Sequence, residues 1–149
     1  MEKTLNALFS SKTDQWSTPQ WFFDRLDSMF CFDLDVCADE TNHKCETYFT
    51  KEQDGLRQQW GGHRVWCNPP YGRGIKDWVR KAAETVELYK DGVVVMLVPA
   101  RTDTSWYHDY ILNNPNASTI FLRGRLYFGA GDGRAPFPSM VVVFMNLSE

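Results

Sequence analysis

The run Val93-Val94-Val95-Met96-Leu97-Val98 contains no polar residue and is rich in β-branched side chains. Its length suits a strand, and valine fits a pleated strand better than a helix. Successive strand side chains point to opposite faces, so a run that is apolar at every position must be covered on both. That is the place of a central strand in a parallel sheet with helices above and below. The chain must therefore supply two covering layers, and an α/β architecture is expected.

The flanking sequence supplies them in alternation. Ser17-Thr18-Pro19 reads as a helix start, with Thr18 at the N-cap and Pro19 at the first helical position. Phe22, Phe23, Leu26, Met29 and Phe30 follow at helical spacing. Phe32, Leu34 and Val36 then alternate with Asp33, Asp35 and Cys37, the period of a strand that emerges at Ala38-Asp39. Thr47 to Thr50 and Val65 to Cys67 are two further short strands, and Ile75, Trp78, Val79, Ala82, Val86 and Tyr89 mark one face of a helix. Thr104 is placed to cap a helix through Asn113. Ile120 to Leu122, Arg125 to Phe128 and Met140 to Phe144 are expected as terminal strands, with Gly129 to Gly133 a flexible loop between the last two. Met1 to Gln15 has weak periodicity and is expected to be a loosely held arm.

The expected fold is a three-layer α/β sheet with an antiparallel C-terminal edge, formed by a single domain over residues 1–149. A chain of this length buries roughly 70% of its unfolded surface. It leaves no length for a separate recognition domain.

No apolar run approaches the roughly 20 residues of a membrane span, and Met1-Glu2-Lys3-Thr4 leads into a polar segment rather than a signal sequence. An intracellular protein is expected. Cys31, Cys37, Cys45 and Cys67 form no CxxC pair and read as buried residues or free thiols. Cys37, His43 and Cys45, with Cys31 or Cys67 as a fourth ligand, match no standard zinc spacing, so no metal is expected. The net charge of −3 disfavours a protein that coats nucleic acid nonspecifically. The charge is unevenly spread, however: nine carboxylates lie between Asp24 and Asp54 against Arg25, Lys44 and Lys51. Arg80 and Lys81 read as a solvated helix face. Arg101, Arg123, Arg125 and Arg134 fall at expected loops or strand ends and are candidates for phosphate or base contacts.

Chemistry concentrates at Asn68-Pro69-Pro70-Tyr71, directly after the strand through Cys67. Asn-Pro is a common turn, but this one resembles the active site of amino-methyltransferases. An exocyclic amine on a nucleobase is a poor nucleophile, because its lone pair is delocalised into the ring. The Asn68 side-chain oxygen and the Pro69 carbonyl could accept its two N–H groups and localise the lone pair opposite them. Consecutive prolines, Pro69 and Pro70, fix φ and remove competing donors, while Tyr71 offers a flat face for a base.

Motif order extends the resemblance over nearly the whole chain. Trp16 to Trp21, Phe32 to Ala38, Tyr48-Phe49, Asp54-Gly55-Leu56, Val65 to Gly72, Val98 to Thr104 and Pro136-Phe137-Pro138-Ser139 together resemble the small phage and prophage DNA adenine-N6 methyltransferases of the Dam type. The resemblance implies a Rossmann-like methyltransferase fold, S-adenosylmethionine as cofactor, and double-stranded DNA as partner in the cytoplasm of a bacterial or phage-infected cell. GATC is the recognition site it suggests. Asn68, Pro69, Pro70 and Tyr71 are then the catalytic residues, with Asn68 also expected to meet the cofactor. Thr18 and Pro19 resemble the element that touches the methionine end of the cofactor. Asp35, Cys37 and Ala38 stand where doubly wound sheets bind ligands. The usual glycine-rich turn is missing there, and either Asp35 or Asp39 could meet methionine or ribose. Asp54 resembles the acceptor for the cofactor adenine amine, with an ordinary Asp-Gly turn as rival.

For a flipped adenine, Phe137 looks like a second aromatic wall beside Tyr71, with Phe128 as its competitor. Asp103 and Trp106 are further candidates for the same cleft. Arg101, Arg123, Arg125 and Arg134 would form the DNA face, extended if the chain forms a homodimer. Enzymes that methylate RNA or a protein glutamine share the Asn-Pro-Pro-Tyr turn, and a non-catalytic DNA-binding relative is the alternative from another class.

Overall fold

A computed structural model describes residues 16–128 and 134–148. The expected N-terminal arm and the Gly129 to Gly133 loop lie outside the described residues. Within them the order is α1 (Gln20–Phe30), β1 (Leu34–Ala38), β2 (Tyr48–Thr50), β3 (Arg64–Cys67), α2 (Ile75–Leu88), β4 (Val93–Pro99), α3 (Ser105–Tyr110), β5 (Ala117–Phe121) and β6 (Ser139–Met145), with a 3₁₀ turn at Gly55–Arg57.

Six strands form one sheet in the order β2-β1-β3-β4-β6-β5. The first four are parallel; β6 lies antiparallel between β4 and β5, pairing Val93 with Met145 through to Pro99 with Ser139. The fold is thus the expected Rossmann-like sheet with an antiparallel C-terminal edge. All seven residues of β4 are buried, and they divide by alternation. Val94, Met96 and Val98 face the side of α2, with Trp78, Val79, Ala82 and Val86. Val93, Val95 and Leu97 face the side of α1, with Phe22, Phe23 and Leu26.

Three local expectations are corrected. Helix α1 starts at Gln20 with Pro19 as its N-cap, and no side chain caps it. The Pro19 carbonyl accepts from the N–H groups of Phe22 and Phe23, while the residue before a proline is disfavoured in helical conformation. Helix α3 is capped by Thr104, whose hydroxyl accepts from the Tyr107 N–H at 3.3 Å, but stops at Tyr110 rather than Asn113. Asn113 is left-handed (φ 64°), and Pro115 follows closely. Arg125 to Phe128 makes a single bridge, Tyr127 to Arg134, rather than a strand. Pro136 and Pro138 bring no N–H with which to extend that pairing. Trp106 is a buried member of the core under α2 and α3, and Asp103 is exposed.

Candidate active site

From β1 the chain moves outward to β2, then returns to β3 on the other side of β1. The C-terminal ends of β1 and β3 therefore flank the point where strand order reverses, which is where open α/β sheets leave a crevice. A cleft of about 650 Å³ lies there, within the usual size of small-molecule sites. Val36, Pro70 and Trp78 give it apolar walls, while Ser17, Asp39, Asn42, Asp54 and Asn68 supply polar groups.

One wall depends on a glycine. A Cβ on Gly55 would lie 2.0 Å from the Val36 carbonyl oxygen, so only glycine lets this turn pack on β1. Trp60 Nε1 donates to the Gly55 carbonyl at 2.8 Å and fixes the turn from below. Asp54 is thereby carried to the cleft. Its Oδ1 accepts from the Leu56 N–H at 3.1 Å and its other oxygen lies 3.5 Å from Arg57 Nε, so it is a turn former as well as a cleft residue.

Of the other residues expected to meet a cofactor, Cys37, Ala38 and Asn68 line the cleft. Burial, with the nearby Asp35 and Asp39 charges, pushes the Cys37 thiol up to about 12, so it stays protonated. Asp35 sits behind the wall, 3% exposed, accepting from the N–H groups of Cys37 (3.2 Å) and Lys44 (2.9 Å). Burial raises its pKa against the pull of those donors. It organises the loop after β1; Asp39 is the carboxylate that reaches the cleft. Thr18 and Pro19 also stand outside the lining, and the Thr18 hydroxyl is turned to Asn68.

Asn68 is the most heavily engaged side chain of the site. Its Nδ2 donates to the Trp16 carbonyl and to Thr18 Oγ1 (3.0 Å), and its Oδ1 accepts from the Tyr71 hydroxyl at 2.9 Å. The same hydroxyl lies 3.0 Å from the Leu97 carbonyl. Burial holds the Tyr71 phenol well above its ordinary pKa, so it carries one hydrogen for these two acceptors.

Tyr71 itself is only 6% exposed. Phe137 stands edge-on to it at 5.4 Å and Phe128 at 6.4 Å, so the structure brings both competing aromatics to the Asn-Pro-Pro-Tyr turn. Trp16 closes the group, edge-on to Phe128 at 5.5 Å and to Phe137 at 5.3 Å. The Tyr71 ring is thus enclosed among neighbouring rings.

Arg101, Arg123, Arg125 and Arg134 are all exposed. Arg101 follows the end of β4; Arg125 and Arg134 flank the Tyr127 bridge, with the Arg134 guanidinium over the Tyr127 ring at 5.7 Å. Among the described residues none of the four forms an ion pair. No group of three potential metal ligands occurs among the described residues, and none of their helices is long and apolar enough to cross a membrane. Sequence reasoning gave no role to Trp16, Ser17, Asn42 or Lys51, and took Trp78 only as a core residue; all five line the cleft. The Asn42 side chain donates to Ser17 Oγ at 2.8 Å, closing its roof. That contact spans 25 residues, and no local pattern announces it.

A doubly wound sheet with a cleft at its switch point and an Asn-Pro-Pro-Tyr turn on its rim defines a protein of the methyltransferase class. The family model for DNA N-6-adenine-methyltransferase (Dam) matches residues 6–146, and the chain belongs to that family. It is 33% identical over 141 residues to the DNA N-6-adenine-methyltransferase of Haemophilus phage HP1 (strain HP1c1), covering 90% of this chain and 80% of the relative. It is 38% identical over 96 residues to the enzyme of the same name from Escherichia phage T1, covering 63% of this chain and 39% of that relative.

Proposed function

We propose that this protein transfers a methyl group from S-adenosylmethionine to N6 of an adenine flipped out of duplex DNA. One observation carries the reading: Asn68 both lines the cleft and bonds Tyr71 at the edge of the aromatic group. It is the joint between a space for a small cofactor and a set of rings suited to a base. The cleft chemistry fits that cofactor. Val36, Pro70 and Trp78 suit its adenine, Asp39 and Asp54 its hydroxyl and amino groups, and Cys37 and Ala38 the backbone approach at the end of β1. Thr18 and Pro19 hold the segment beside its amino-acid end.

When bound, the cofactor supplies an electrophilic methyl. Asn68 Oδ1 and the Pro69 carbonyl accept from the two N–H groups of the adenine amine, which localises the nitrogen lone pair opposite them. Pro70 keeps that carbonyl free of a local donor and turned outward. Tyr71 and Phe137 sandwich the base, recovering part of the unstacking energy. Transfer is direct, without a covalent enzyme intermediate. Arg101, Arg123, Arg125 and Arg134 contact the duplex, with a second copy of the chain extending the face. The site methylated is GATC, and the reaction takes place in the cytoplasm of a bacterial or phage-infected cell.

The test is transfer of labelled methyl to duplexes containing GATC, to scrambled duplexes, to duplexes carrying N6-methyladenine, and to RNA and protein. Label only in the unblocked GATC duplex supports the full reading. Label in both unblocked duplexes removes the site specificity, and label confined to RNA or protein overturns the substrate. Calorimetric cofactor binding without transfer to any of them would favour a non-catalytic DNA-binding protein.

A further inference from the structure

The Asn68 amide can point two ways, and only one is useful: its oxygen must face the reacting amine, since a base N–H needs an acceptor. Amide-flip ambiguity of this kind is settled by what surrounds the group. Here one amide terminus is paired with the Trp16 main-chain carbonyl. A carbonyl only accepts, so that terminus must be the NH₂ group. Thr18 Oγ1 takes the second hydrogen at 3.0 Å. Both donors are then used, and Oδ1 is turned to Tyr71.

We infer that Thr18 is a positioning residue, which together with the Trp16 carbonyl locks the Asn68 amide with its oxygen toward the reacting amine. The inference rests on the reading of Asn68 given above. Thr18 is well placed to hold the amide, because it is buried, only 5% exposed. Pro19 after it disfavours helical backbone at Thr18, keeping it outside the first turn of α1. Helix α1 is in turn seated on β3, with Phe23 edge-on to Trp66 at 5.3 Å, two residues before Asn68. The hydroxyl and the amide are therefore fixed to the same packed unit, although 50 residues separate them in sequence. The Tyr71 hydroxyl completes the arrangement. Its single hydrogen can pass to the Leu97 carbonyl, leaving Asn68 Oδ1 free for the substrate.

Thr18→Val keeps the shape and removes the acceptor; Thr18→Ser keeps the acceptor; Thr18→Ala guards against strain from the second Val methyl. With cofactor and duplex saturating, turnover is expected to fall at least tenfold in Thr18→Val and Thr18→Ala. It should return to within threefold of the parent in Thr18→Ser. Calorimetric affinity for S-adenosylmethionine should be unchanged throughout, while the melting temperature should fall modestly in Thr18→Val and Thr18→Ala, as one buried donor loses its partner. Weakened cofactor affinity with parental turnover at saturation would make Thr18 a cofactor ligand and overturn the inference. So would a turnover loss in Thr18→Ser equal to that in Thr18→Val, or turnover in Thr18→Val and Thr18→Ala that returns to the parental level when assayed well below their melting temperatures. Parental turnover in Thr18→Val and Thr18→Ala beside an inactive Asn68→Ala overturns this inference alone. An active Asn68→Ala overturns the reading on which it rests.

Discussion

Two spaces meet at Asn68, and they are built differently. The cleft on one side is open: its walls come from β1, the Gly55 turn and Trp78 of α2, each held by burial in the core or by main-chain contact. The aromatic group on the other side is filled by its own side chains, with Trp16, Tyr71, Phe128 and Phe137 edge-on or tilted at 5.3 to 6.4 Å. If the proposed roles hold, cofactor binding should need little rearrangement, whereas a base must displace rings to enter. Edge-to-face pairs contribute about 0.5–1.5 kcal/mol each beyond burial, so opening the group is costly but within reach of stacking on a flipped base.

Asn68→Ala should damage the junction most. Loss of the acceptor is expected to reduce turnover by on the order of 100-fold, about 3 kcal/mol in the transition state. Cofactor affinity, measured by calorimetry, should stay within a few-fold of the parent. Near-parental turnover would separate Asn68 from the chemistry altogether.

On the open side, Gly55→Ala pushes a methyl against the Val36 carbonyl and the Trp78 ring. Overpacking of this kind costs about 1–3 kcal/mol, to be read as a lower melting temperature together with weaker cofactor binding. Retained stability and affinity would show that the wall is softer than its contacts suggest. Asp54→Ala is milder for the fold, since the carboxylate is partly exposed. The loss of an acceptor should weaken cofactor binding by about 1–2 kcal/mol. Unchanged affinity would leave Asp54 only its turn, through Leu56 and Arg57.

The filled side is sharpened by Tyr71→Phe, which keeps the ring and deletes a hydroxyl whose one hydrogen serves two acceptors. Steady-state turnover should change by about 1 kcal/mol or less, the net contribution of one hydrogen bond. A loss as large as that of Asn68→Ala would give the phenol a direct role in the chemistry. The smallest effect is expected from thiol alkylation near pH 8. Cys31 is exposed and should react first without loss of activity. Cys37 and Cys45, each held up to about 12 by burial and neighbouring carboxylates, should lag far behind. Rapid labelling of Cys37 would mean that the wall of the open cleft is not preformed.

Much of this arrangement was legible in the chain. The strands through Val36, Val65 and Val95 announce themselves by alternation or by unbroken apolar character, because a strand side chain must match the face it points to. Ile75, Trp78, Val79, Ala82 and Val86 announce α2 in the same way. The Asn-Pro-Pro-Tyr turn is equally local, since prolines set their own backbone. Legibility fails where a residue's partner is distant. Thr18 reads locally as a helix cap, yet its hydroxyl is used by Asn68. Asp35 reads as a cofactor ligand, yet the N–H of Lys44 claims one of its oxygens. Trp78 belongs to a clear helical stripe, and nothing in that stripe says its ring also borders a cleft.

The sequence by itself determined the α/β layering, the buried β4 and the placing of an acceptor-bearing turn at the end of β3, because these follow from side-chain periodicity and from proline's fixed geometry. Only the tertiary structure decided that β6 enters between β4 and β5, that Phe128 and Phe137 pack against Tyr71 with Trp16 beside them, and which way the Asn68 amide faces. Each of those depends on groups tens of residues apart competing for the same space or the same hydrogen. Such a competition is settled when the elements pack together.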